Sequence, residues 1–519
     1  MRNLMQRKPL EILLEEMKGE HRLRRVLGPV QLTSLGVGAI IGAGIFVATG
    51  AAAHNVGGPA LMISYTVAGI TCVFAALCYA EFASMVPVAG SAYTYAYATL
   101  GELFAWIIGW DLVLEYAVGS ATVATGWSGY FQNVLAKLGI ILPATMRSSP
   151  WRFDQGVFVT TGSLVNLPAV VIVTILTLVL VKGIQESANF NATMVFIKVA
   201  AVIFVIVVGV FYIDTRNWHP FAPYGWTGLN FFGLHIAGQK NAGGQPVGML
   251  AGAAIIFFAY IGFDSVSTHT EEAKNPQRDV PIGIVTSLIV CTVLYILVVA
   301  VLTGMVKYDQ LDIAAPVSLA FKQKGIGWAE GLIALAGVAG ITSVMLVMML
   351  SAPRVMLAMA RDGLVSKSFF ADVHPKFRTP WKSTILVGSG VLIMAGLLPI
   401  DYLLLLTNIG TLFAFVIVCA AVLIMRKLYP EAHRPFRCPW VPFIPVMGVL
   451  SCLMLMFSLP WENWTRLFAW MAIGLIIYFV YGRKHSIMAV HTAQELAAHG
   501  TGGAFTSVEG GEEPASRVR

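Results

Sequence analysis

Apolar runs organise this chain. Apolar stretches of about 20 residues recur along it, each long enough to cross a hydrocarbon layer as a helix. Apolar windows and their breakers place about twelve of them. They lie near 29–54, 59–86, 101–135, 166–183, 190–213, 247–271, 281–305, 327–360, 383–399, 402–425, 442–459 and 464–482. Lipid offers backbone groups no partners, so each run must satisfy its own N–H and C=O groups. The expected class is an all-α membrane protein with about twelve transmembrane helices. Composition agrees: the 519 residues are 57% hydrophobic and 12% charged, against about 25% charged in soluble domains. A soluble enzyme, a nucleic-acid binder and a disordered scaffold are excluded. The first partner is a lipid bilayer, and no nucleic acid is expected.

The net charge of +7 belongs to the loops between runs. Seven basic residues precede the first run: Arg2, Arg7, Lys8, Lys18, Arg22, Arg24 and Arg25. Arg354, Arg361, Lys367, Lys376, Arg378 and Lys382 cluster after the eighth. Arg426, Lys427, Arg434 and Arg437 follow the tenth. All three clusters share the side of the termini, which the positive-inside bias makes cytoplasmic. Leu10, Leu13, Leu14 and Met17 recur at helical spacing among charges, as in a helix lying on the membrane surface. The tail from about 483 is rich in Gly, Ala and Glu and reads as disordered.

Two runs carry glycine at their centres. The first reads GVGAIIGAGIFVATG from Gly36 to Gly50, with Gly36, Gly38, Gly42 and Gly44 close together. A dinucleotide loop needs GxGxxG after a strand, which this is not. A GxxxG packing face, Gly38 to Gly42, is one reading. An interrupted helix is the other, because each glycine costs a helix about 1 kcal/mol. The sixth run, FFAYIGFDSVST from Phe257 to Thr268, has Gly262 near its middle and favours interruption. Paired breaks at corresponding positions of two repeats point to a midplane binding site in secondary transporters. N–H groups at the start of a second half-helix suit a carboxylate, and carbonyls ending the first suit an ammonium. A molecule carrying both is an amino acid.

Ionisable residues inside apolar runs are functional candidates. Asp111 and Glu115 are four apart, so they share a helix face. They are either hydrated near an interface or an acidic wall in which one carries a proton. Lys198 either snorkels out or is buried and able to exchange a proton. Asp264 follows the sixth-run break and either caps it or floors a pocket. Glu81, at the end of the second run, reads as structural. Thr342 and Ser343 either bond their own helix or reach Lys198.

The six cysteines mostly lie in apolar runs without a CxxC pair, so neither a disulfide framework nor a zinc site is implied. His269 precedes Glu271 and Glu272, but there is no HExxH, GxSxG or GxxxxGK[ST]. No metal, no cofactor and no enzyme activity are expected.

These residues resemble the amino acid permeases of the amino acid–polyamine–organocation superfamily, most closely the bacterial branch of the cationic amino acid transporter family. The resemblance spans about residues 25–480. It rests on Gly36–Gly50, on Tyr79–Tyr95 (YAEFASMVPVAGSAYTY) and on Phe257–Ile284 (FFAYIGFDSVSTHTEEAKNPQRDVPIGI). In the last segment Pro276 and Pro281 are expected to end the sixth span and start the seventh, with Lys274, Arg278 and Asp279 in the loop.

The resemblance implies a LeuT-like fold of two five-helix inverted repeats, with helices 1 and 6 broken. The division is then a cytoplasmic segment 1–28, a transport core 29–425, two added helices in 426–482 and a cytoplasmic tail 483–519. It further implies N–H groups of Ala43, Gly44 and Ile45 for a substrate carboxylate, within the segment Ile40, Ile41, Gly42, Ala43, Gly44 and Ile45. Carbonyls of Ile40, Phe258, Ala259 and Ile261 are implied for the ammonium. Lys198 would stand where other members hold sodium, with Thr342 and Ser343 beside it. Glu115 and Asp264 match acidic positions near the side-chain pocket. Met345 and Met348, being bulky, would limit its size.

The expected function is proton-coupled symport of small neutral or cationic L-amino acids in a bacterial inner membrane. The proton gradient is the driving force, and a small single-span membrane partner is left open. An exchanger, a polyamine carrier and an amino acid sensor are the alternatives.

Overall fold

The computed structural model describes residues 7, 27–85, 91–154, 157–183, 188–232, 234–268, 270, 273–311, 315–377 and 379–487. The surface helix expected at Leu10–Met17, the tail beyond 487, residues 86–90 of the Tyr79–Tyr95 segment, Arg378, His269, Glu271 and Glu272 lie outside these.

Helices fill the apolar runs. They are α1 (Pro29–Ile40), α2 (Leu61–Met85), α3 (Glu102–Lys137), α4 (Leu167–Lys182), α5 (Ala188–Gly209) and α6 (Met249–Ile256). They continue as α7 (Pro276–Met305), α8 (Gly327–Arg361), α9 (Trp381–Leu397), α10 (Ile400–Leu428), α11 (Phe443–Phe457) and α12 (Trp461–Ile477). Among the described residues, seven helical stretches are long and apolar enough to cross a membrane, and four shorter apolar helices accompany them. Pro29–Met85 counts as one such stretch although it holds two runs. Gly58, at φ 58°, turns the chain between them, a conformation that suits a residue without Cβ.

Local signals set the ends. Asn166 caps α4 by accepting from the Ala169 N–H, and α4 stops at Gly183, at φ 82°. Helix α7 differs from the expectation. It starts at Pro276, so Arg278 and Asp279 belong to its first turn and Pro281 sits inside it. The cause is a local closure: the Asn275 N–H donates to the Asp279 carboxylate (3.2 Å) and the Asp279 N–H to the Asn275 carbonyl (2.8 Å). Likewise Arg354 and Arg361 lie within α8, not in the loop after it.

Helix α8 packs on α3, α7 on α1 and α2, and α11 on α10. Three small antiparallel hairpins decorate the loops: β1–β2 (Trp151–Asp154, Val157–Thr160), β3–β4 (Leu229–Phe231, Leu234–Ala237) and β5–β6 (Gln239–Lys240, Pro246–Val247). Burial is reversed relative to a soluble protein. Phe196, Leu178, Phe211 and Ile476 face outward, while Glu81, Asp111, Glu115, Lys198 and Asp264 are buried. Such a surface is stable against lipid, where apolar side chains need no cover.

Candidate functional site

Both glycine-centred runs are interrupted helices. Helix α1 ends at Ile40, and Ile41 turns extended (φ −70°, ψ 106°). The chain resumes as a wide π-type turn over Gly44–Ala48. In the sixth run α6 narrows to a 3₁₀ turn over Phe257–Tyr260. Ile261 then turns extended, Gly262 takes φ 118°, and a short helix runs from Ser265 to Thr268. The two breaks touch. A Cβ at Gly44 would lie 2.2 Å from the Ala259 Cα, and one at Gly262 would lie 2.8 Å from the Ala39 oxygen. The glycines therefore serve close approach of two irregular backbones, which the GxxxG reading does not require.

A break leaves carbonyls without helical partners, and lipid cannot supply them. Side chains from five other helices do. On the first break, Lys198 of α5 donates to Gly38 and Ile41 (3.2 Å), and Tyr295 of α7 donates to Ile40 (2.8 Å). Tyr65 of α2 reaches Gly44 (3.3 Å), and Tyr130 of α3 reaches Phe46 (2.5 Å). On the second, Asn408 of α10 donates to Ala254 (2.8 Å) and Ile255 (2.7 Å), and Tyr295 also reaches Ala259 (3.0 Å). Tyr295 thus touches one carbonyl of each break. The first N–H groups of the resumed helix begin at Ala43, the position suited to an anion.

Lys198 is fully buried, not snorkelling. Gly340 of α8 makes room for its stem: a Cβ there would meet the Lys198 Cγ at 3.0 Å. Thr342 donates to Val338 (2.7 Å) and accepts from the Trp127 indole (2.9 Å), while Ser343 donates to Gly340 (3.1 Å). Their hydroxyls thus bond mainly their own helix. On the same helix Val344 meets Gly42, where a Cβ would lie 2.5 Å from its Cγ2. Met345 is buried, and Met348 lies against Gly119 of α3.

Helix α3 makes polar contacts in two directions. Tyr116 donates to Asp264 (2.9 Å) and so faces the sixth-run break. Asp111 and Glu115 share a face, as their spacing predicts, and that face meets α10 and α12. A Cβ at Gly410 of α10 would lie 2.5 Å from the Asp111 Oδ2 and 2.6 Å from the Glu115 Oε2. The Arg466 Nη2 of α12 stands 3.7 Å from the Glu115 Oε2. Glu81 is structural: Arg426 grips it through two nitrogens (3.0 and 2.8 Å), and the Cys438 N–H donates to it (2.7 Å). All six cysteines are buried and free. Among the described residues, no three His, Cys, Asp or Glu side chains converge as metal ligands.

The broken helices are also joined at both ends. Leu27 bridges to Ala273, and the Lys274 N–H donates to Leu27 (2.8 Å). At the other end the Gly248 N–H donates to Val56 (2.9 Å).

Sequence reasoning missed Tyr295, Tyr65, Tyr130, Asn408, Val344 and Arg466. Arg466 had a signal, being a charge inside the last apolar run. The tyrosines had none, since a tyrosine in an apolar run is ordinary core.

The chain matches the family described as amino acid permease over residues 27–481. It is 47% identical over 485 residues to the branched-chain amino acid permease BcaP of Bacillus subtilis (strain 168), covering 93% of this chain and 98% of the relative. The methylthioribose transporter of the same organism is 43% identical over 488 residues, covering 94% and 100%. The vacuolar cationic amino acid transporter 4 of Arabidopsis thaliana is 36% identical over 432 residues, covering 83% of this chain and 68% of the relative. This chain is therefore a member of the amino acid permease family, a multi-pass membrane transporter and not an enzyme.

Proposed function

We propose that the protein is a proton-coupled symporter of L-amino acids, with small or branched neutral side chains favoured. It would sit in a bacterial inner membrane with both termini cytoplasmic. Its core would be two inverted five-helix repeats, α1–α5 and α6–α10, with α11 and α12 added. The matching interruptions in the first helix of each repeat support that arrangement.

One observation carries the reading. The Ile40 and Ala259 carbonyls, one from each break, lie within reach of a single hydroxyl. An ammonium placed there bonds both breaks at once, with Phe258 and Ile261 adding carbonyls. The substrate carboxylate takes the N–H groups of Ala43, Gly44 and Ile45 in the segment Ile41–Ile45. Val344, Met345 and Met348 bound the side chain, and Asp264 floors the pocket through Tyr116. Glu115 already faces the Arg466 guanidinium, which lessens its pull on a cationic side chain. That favours neutral substrates, as does the similarity to a branched-chain permease. Lys198, with Thr342 and Ser343 nearby on α8, holds the first half-helix and exchanges the coupled proton. Loading biases a two-state equilibrium between the outward and inward forms.

The methylthioribose transporter supports a second reading, since its named substrate has neither ammonium nor carboxylate. Uptake into proteoliposomes separates the two. Labelled L-valine, L-alanine, L-arginine and methylthioribose are offered without sodium, with and without an inward proton gradient. Gradient-driven valine or alanine uptake is expected. Uptake of methylthioribose alone would replace the amino acid reading.

A further inference from the structure

Tyr295 holds an unusual place. Its ring is fully buried against Tyr65 and Tyr260, each with its centroid 5.5 Å away. Its hydroxyl lies 2.8 Å from the Ile40 oxygen and 3.0 Å from the Ala259 oxygen. A phenol has one proton to donate, so it cannot fully satisfy both carbonyls at once. An ammonium has three. The two carbonyls belong to opposite breaks, and the runs that carry those breaks are joined at both ends as well, through Leu27 and Lys274 and through Val56 and Gly248.

We propose that the Tyr295 hydroxyl stands in for the substrate ammonium in the empty carrier, bridging the Ile40 and Ala259 carbonyls until substrate takes them over. This rests on the amino acid reading above. The hydroxyl is then a positioning group with a cycle-specific task. It lets the empty protein close, and hence return across the membrane, without two orphaned carbonyls at its centre. The loaded protein does not need it, because the ammonium supplies the donors. Loading is an exchange of one donor for a better one, which needs little repacking of the ring.

The test separates the empty return from the loaded crossing. Tyr295→Phe removes one oxygen and keeps the ring. Wild-type and variant proteoliposomes are compared with whichever of labelled L-valine, L-alanine or L-arginine the wild type takes up. Net uptake into empty vesicles requires the empty return; exchange against internal substrate does not. The expected result is a fall of about tenfold or more in net uptake, with exchange kept within about twofold. Saturating substrate should also raise the unfolding temperature of the variant more than that of the wild type. A parallel fall in both fluxes, no change in either, or loss of exchange alone would overturn the proposal. A variant recovered only when purified with substrate supports it. A variant recovered under neither condition overturns it, because the hydroxyl is then a requirement of folding. Failure of the amino acid reading itself shows separately, as a wild type that moves none of the three.

Discussion

Lys198 and Arg466 are both cations inside apolar runs, and the bundle treats them differently. Lys198 is held by the carbonyls of Gly38 and Ile41, at the end of an interrupted half-helix. Arg466 stands 3.7 Å from the Glu115 carboxylate, with Asp111 on the same α3 face. Each group has a glycine that makes room, Gly340 for the lysine stem and Gly410 for the two carboxylates. The difference lies in what holds each cation. Carbonyls converge on Lys198 because α1 is broken there, so its surroundings depend on the state of the break. Glu115 sits within the continuous helix α3, and the Trp110 and Trp470 indoles each donate to the other residue's carbonyl (2.9 Å), joining α12 to α3. Arg466 and Glu115 therefore stand on joined helices. A cation held by helix-end dipoles can report a transport step, whereas one held on joined helices neutralises a fixed site.

Substitutions can break that comparison. The largest effect is expected for Arg466→Met, which strands two buried carboxylates and should cost about 3–5 kcal/mol. Thermal unfolding in detergent measures it, and adding Glu115→Gln should recover part of the loss. Equal costs with and without Glu115→Gln would mean the two groups are not coupled. Lys198→Ala should cost less stability, about 1–3 kcal/mol, for the backbone acceptors it leaves unpaired. Its effect should add to that of Arg466→Met, and non-additivity would merge the two sites into one network.

Smaller effects sharpen the contrast. Gly410→Ala forces the Asp111 and Glu115 carboxyl groups to shift and should cost about 1–3 kcal/mol by the same unfolding assay. An unchanged unfolding temperature would mean that the carboxylates swing away freely. Gly340→Ala meets only a flexible methylene stem at 3.0 Å, and alanine favours a helix over glycine by about 1 kcal/mol. Its net change should be near zero. A loss as large as that of Gly410→Ala would show the Lys198 stem to be as tightly fixed as the acids.

Much of this arrangement was legible beforehand, for physical reasons. The apolar runs announce helices because lipid permits little else, and ten of them agree with their helices within several residues, while α1 and α6 stop short of their runs because the breaks interrupt them. The break at Ile41–Gly42 follows from glycine crowding, and that at Ile261–Gly262 from a single central glycine in the corresponding run. Lys198 and the Asp111–Glu115 pair stand out because charge in an apolar run needs a reason. Their partners did not stand out. Arg466 follows Glu115 by hundreds of residues, and only packing of α12 on α3 joins them. Tyr295 is one tyrosine among sixteen, and its task exists only where two breaks meet. Pro281 misled because a proline near a helix start resembles a start, while the Asn275–Asp279 closure had already begun α7 one turn earlier.

The central claim is that Lys198 links the first break to the proton gradient. Proteoliposomes of the wild type and of Lys198→Ala, loaded without sodium and given an inward proton gradient, test it most directly. The wild type should accumulate labelled L-valine or L-alanine above the external concentration. The variant should only equilibrate it, with exchange still measurable. Accumulation by Lys198→Ala equal to that of the wild type would remove the lysine from coupling and leave it a structural cap on a broken helix.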